Sequence, residues 1–105
     1  MTTSIAHVPT AKGSQYLLQL CKHWNHNMEV SFTPEAGTVT FPRNARGADW
    51  PSDGLVTMTA HPDTLECKID ASGPAHLDGL KGTLARHFDR FAFREAPLRF
   101  DWIDG

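Results

Sequence analysis

The sequence predicts an α+β fold: a two-layer sandwich in which a mainly antiparallel sheet of about five strands carries two helices on one face. Two segments repeat their apolar residues at helical spacing, and the segments between them alternate apolar and polar residues with a period of two. Short groups of turn formers separate consecutive alternating segments, which favours hairpins over long crossovers.

The chain has 105 residues, 40% of them hydrophobic and 21% charged, which fits one compact domain over residues 1–105. A chain of this size buries roughly two-thirds of its unfolded surface, enough for a core without disulfide staples. The start, "MTTSIAHVPTAKGSQ", lacks the cationic cluster and apolar core of a secretory signal. No apolar run approaches the roughly 20 residues needed to cross a bilayer. The chain is therefore expected in the cytoplasm, with Cys21 and Cys67 as reduced thiols. A net charge of −2 gives no electrostatic case for a nucleic-acid or anionic-membrane partner.

Taken in order, "SIAHV" reads as a short strand at the edge of the sheet. The first helix begins after Thr10, whose hydroxyl can accept from an early backbone amide, and runs through "AKGSQYLLQLCKHWNH" to a stop at Asn27. "MEVSFT" and "GTVTF" then place Val30 with Phe32, and Val39 with Phe41, on single faces around a "PEAG" loop. The proline- and glycine-containing stretch "PRNARGADWPSDG" reads mostly as loop. "LVTMTA" and "TLECKID" form a second hairpin around "HPD", with Leu65, Cys67 and Ile69 sharing a face.

The second helix spans Pro74 to Phe91. Pro74 suits its first turn, where a missing amide hydrogen has no helical acceptor. Leu77, Leu80, Leu84, Phe88 and Phe91 form the apolar stripe. Gly79 and Gly82 each weaken the helix by about 1 kcal/mol relative to alanine, leaving its opening turns loose or closely packed. "LRFDW" closes the sheet with Leu98, Phe100 and Trp102 alternating.

Six histidines are the unusual feature, and "CKHWNH", residues Cys21 to His26, suggests a metal site. Helical geometry argues against it. At about 100° per residue, His23 lies roughly 160° from Cys21, so the two cannot meet at one ion. Cys21 and Trp24 fall on the apolar arc with Leu17 and Leu20. His23 and His26, only about 60° apart, share the polar face with Tyr16 and Gln19. They are a weak bidentate metal candidate that would need a third ligand, and the simpler reading is a solvated face. No catalytic residue and no cofactor is assigned.

On the second helix, His76, Thr83, His87, Arg90 and Arg94 follow one border of the apolar stripe. Arginine's planar fork of donors and the imidazoles could grip a carboxylate, phosphate or other acidic ligand. Alternatively Arg90 pairs internally with Glu95 or Asp101, and His87 is a hydrogen-bonded boundary residue.

"QYLLQLCKHW" near the start and "RHFDRFAFREAPLRFDW" near the end resemble the bacterial family called domain of unknown function 2218, and the likeness covers nearly the whole chain. The family motif is matched by Cys21, Lys22 and His23 and by His87, Arg90 and Phe91. The resemblance implies an uncharacterised domain found fused to, or encoded beside, siderophore-interacting flavin reductases. It transfers no catalytic residues. The segment "RNARGADWPSDG" is longer and richer in proline than the family pattern.

Two functional readings follow. In the first, an accessory or binding domain uses His23, His87, Arg90 and Arg94 to hold a small acidic ligand such as an iron chelate, or docks on a flavin reductase; it requires a concave surface where the helical flanks converge. In the second, a small enzyme uses Cys21 as nucleophile or His87 as general base, which requires an exposed thiolate near positive charge.

Overall fold

The structure is a computed structural model and describes residues 2–26, 28–44, 49–91 and 100–104, excluding the side chain of Phe91. Its elements are β1 (Thr2–Pro9), α1 (Gly13–Trp24), β2 (Glu29–Phe32), β3 (Ala36–Phe41), β4 (Gly54–Ala60), β5 (Thr64–Ala71), α2 (Pro74–Phe91) and β6 (Trp102–Asp104). The strands form one sheet in the order β2-β3-β4-β5-β1-β6, with every neighbouring pair antiparallel. Both helices pack on the same face, α1 over the β2–β4 side and α2 over β5 and β1.

Alternation along the strands makes this architecture. Val39 and Phe41 of β3, Val56 and Met58 of β4, and Leu65, Cys67 and Ile69 of β5 point into the helix layer. From α2, Leu77, Leu80, Leu84 and Phe88 close the other side, as the stripe predicts. From α1, the buried arc includes Leu17, Leu20, Cys21 and Trp24, and also Tyr16. Tyr16 therefore corrects its assignment to the polar face: it lies one turn before Leu20, within an apolar arc wide enough to hold it.

The sequence reading differs from the fold at three other places. The "SIAHV" strand is not at the edge: β1 runs eight residues and lies between β5 and β6, so the sheet has six strands rather than about five. Its partner β6 begins at Trp102, with Phe100 and Asp101 outside the strand. Helix α1 starts at Gly13, and Thr10 makes a tight turn before it, accepting from the Lys12 amide at 3.1 Å. Asn27, Arg94, Glu95 and Leu98 lie outside the described residues.

Close approaches hold the layers in register. Gly13 lets the start of α1 reach β5: a Cβ there would sit 3.3 Å from Leu65 Cβ and the Thr64 carbonyl oxygen. The Ser14 hydroxyl donates to the Pro34 carbonyl at 2.7 Å, tying α1 to the β2–β3 turn.

Candidate functional site

At one end of the sandwich, the start of α2, the end of α1 and the chain leaving β3 border a half-open cavity of about 180 Å³. Trp24, Met28, Phe41, Pro42, Trp50, His76, Gly79, Leu80 and Thr83 line it. Trp24 meets Phe41 edge to face at 4.9 Å, a favoured aromatic arrangement. Opposing this apolar wall, His76 is a buried polar side chain, only 3% exposed.

Local chemistry explains each placement. Trp24 is the last residue of α1 and ends its buried apolar arc where the core meets the cavity. Trp50 lies in the loop between β3 and β4 and is pinned by its backbone: its amide donates to the Arg43 carbonyl at 3.0 Å, and the Arg43 guanidinium donates to its carbonyl at 3.3 Å. The Arg43 amide in turn donates to Asp53 at 2.8 Å. So anchored, the Trp50 indole stacks on His76, with centroids 4.7 Å apart and planes 8° from parallel.

The protonation of His76 follows from its partners. Its Nδ1 receives the Ser72 backbone N–H at 3.1 Å, and the Ser72 hydroxyl lies 2.9 Å from the same nitrogen. A backbone amide can only donate, so Nδ1 is the acceptor and the proton of the neutral ring sits on Nε2. Burial pushes the His76 pKa below the ordinary histidine value, which favours that neutral form. On the Nε2 side the ring abuts β4 at Gly54, where a Cβ would come within 3.1 Å of Nε2 and 2.6 Å of Leu80 Cδ1.

Beside this cavity the flanks of α1 and α2 approach each other. His23 and His87 approach with ring centroids 5.5 Å apart, and Trp24 packs on His87 at 4.9 Å. The carbonyl of Thr83 accepts from His87 Nδ1 at 2.7 Å, and the Thr83 hydroxyl donates to the Gly79 carbonyl at 2.9 Å. Arg90 is exposed, one turn beyond His87, and His26 is exposed at the other end of the arrangement. None of His23, His26, His87 and Arg90 lines the cavity. Of the flank named from sequence, His76 and Thr83 do.

Cys21 does not meet the needs of a nucleophile. It is wholly buried, its sulfur faces Gly37, and burial raises the thiol pKa to about 11. Burial first and the neighbouring Glu66 second push Cys67 up further still. Both cysteines are free thiols. Among the described residues no group of three or more His, Cys, Asp or Glu side chains converges as a metal site. No helix among them is long and apolar enough to cross a membrane.

Sequence reasoning passed over Trp50, Met28 and Pro42. Trp50 sits in a segment without periodicity, and its only sequence signal is an aromatic residue among turn formers. Trp24 was read as core, and it serves as core and as cavity wall together.

The fold and this end of it define a small α+β domain with a ring-sized aromatic cavity backed by one buried imidazole. The chain belongs to the bacterial family described as "Uncharacterized protein conserved in bacteria (DUF2218)", whose model matches residues 5–103. Among solved structures it is similar to the NMR structure of PA4090 from Pseudomonas aeruginosa, at 29% identity over 98% of this chain and 96% of that one, with a TM-score of 0.76. No curated protein matches.

Proposed function

We propose that the protein is a non-enzymatic binding domain whose small ligand occupies the cavity between Trp24, Trp50 and His76. The observation that carries this reading is the combination of an apolar aromatic wall with one convergent, buried polar group, the usual composition of a small-molecule site. Among the described residues only Nδ1 of His76 is engaged, by Ser72, which leaves Nε2 available to a ligand.

The acidic ligand expected from sequence fits as an extension of this site. A substituent leaving the cavity past Trp24 and Thr83 would approach His23, His87 and Arg90; Arg94, outside the described residues, is the further candidate read from the sequence of that flank. An iron chelate with an aromatic arm would satisfy both parts, and delivery to a flavin reductase would be the corresponding role in siderophore handling.

Tryptophan fluorescence tests the cavity itself. Toluene added to the intact chain should give a saturable change, strongly reduced in the Trp50→Ala protein. A linear, non-saturating response identical in both proteins would refute the reading.

A further inference from the structure

We infer that the cavity takes a single-ring aromatic ligand carrying an oxygen acceptor, with the ring among Trp24, Phe41 and Trp50 and the oxygen on the Nε2–H of His76. This rests on the ligand-binding reading above and specifies the ligand class.

Size sets the first limit. A cavity of roughly 150 Å³ accommodates one benzene molecule, so the 180 Å³ found here seats one ring, with any larger part of the ligand lying outside it. Wall chemistry sets the second. Two indoles, a phenyl ring, Met28, Pro42 and Leu80 favour a flat apolar body through packing and edge-to-face contacts.

Polarity sets the third. His76 is 97% buried by its 3% exposure, its Nδ1 is taken by Ser72, and among the described residues no hydrogen-bond partner meets Nε2. An apolar ligand covering this N–H would strip it of water and leave it unpaired, so a ligand oxygen at this position gains what an apolar ligand forfeits. Gly54 leaves this nitrogen its room: a Cβ there would come within 3.1 Å of Nε2 and 2.6 Å of Leu80 Cδ1. The Thr83 hydroxyl proton is already directed to the Gly79 carbonyl, so Thr83 does not compete as a donor.

An aromatic wall can also hold a quaternary ammonium ion. The donor tautomer of His76 opposes that occupant, because its N–H would face the cation, and among the described residues no carboxylate lines the cavity to offset it.

The test compares acetophenone, isopropenylbenzene and tetramethylammonium by ¹H–¹⁵N NMR titration of the intact chain. The first two have the same shape and differ in C=O against C=CH₂. Acetophenone should bind about tenfold more tightly and shift the His76 Nε2 resonance, since a site built for a hydrogen bond discriminates against the analogue lacking it. Tetramethylammonium should leave the spectrum unchanged. In His76→Leu the preference for acetophenone should vanish; if that variant does not fold, the paired affinities and the Nε2 shift in the native protein decide alone. Equal affinity for the two aryl probes, or tighter binding of tetramethylammonium, overturns the ligand class while leaving a binding cavity. Failure of all three to bind overturns this inference together with the proposed function.

Discussion

Trp50 and His76 lie face to face, 4.7 Å apart and 8° from parallel, although one belongs to an irregular loop and the other to the first turn of α2. The stack joins the β3–β4 connection to the helix layer and closes one side of the cavity. Its consequences can be measured in stability as well as in binding.

His76 makes stability depend on pH with a definite sign. Its folded pKa lies below the ordinary value, so protonation favours the unfolded chain. The contribution should be constant well above pH 6.5 and should be lost as pH falls from there toward the folded pKa, with a limiting slope of about 1.4 kcal/mol per pH unit for one proton. Urea unfolding of the native protein and His76→Gln between pH 8 and 5 checks this. The native protein should lose more stability on acidification, and parallel curves would remove His76 as the cause.

Gly54 should be intolerant of even one methyl group. Gly54→Ala brings Cβ to 2.6 Å from Leu80 Cδ1 and 3.1 Å from His76 Nε2, an overpacking expected to cost about 1–3 kcal/mol. Shortening Leu80 to valine should recover part of that loss. Additive unfolding energies in the Gly54→Ala, Leu80→Val cycle would show that the two sites do not compete for space.

Gly79 should respond in the opposite way. A Cβ at this helical position meets nothing within 4 Å, so Gly79→Ala should stabilise the protein by about 0.5–1 kcal/mol through helix propensity alone. Thermal or urea unfolding decides it; destabilisation would mean the surroundings of Gly79 are tighter than the structure indicates.

Lys81 ties α2 to β6. Its ammonium donates to Asp104 at 2.8 Å and lies 5.6 Å from the Trp102 ring centroid. The Lys81 hydrogen bond is the main influence holding the Asp104 carboxyl below its ordinary pKa. NMR titration of Lys81→Met should show the Asp104 pKa moving upward toward the usual carboxylate range, and an unchanged titration would detach the two groups.

The sequence makes the repeating parts of this fold legible. The bounds of α2 follow from Pro74 and the Leu77–Phe88 stripe, and the inward face of β5 follows from Leu65, Cys67 and Ile69. The position of β1 does not, because pairing Thr2 with Ala71 and Ser4 with Asp104 joins segments far apart in the chain, and local periodicity carries no register information across that distance. The site divides in the same way. Helical phase places His76, Thr83 and His87 on one flank and sets Cys21 apart from His23. Trp50 escapes because a loop residue has no phase, and it reaches His76 only through the hydrogen bonds of its backbone to Arg43.

The central claim is that the cavity, rather than the exposed histidines alone, receives the ligand. Intermolecular NOEs between toluene and the intact protein test it most directly. Contacts should run from the toluene protons to the Trp24 and Trp50 indoles and the Met28 methyl group, with none to Trp102, which lies outside the cavity. NOEs confined to Trp102 or to the exposed Leu55 and Ile103, or none at saturating toluene, would contradict it.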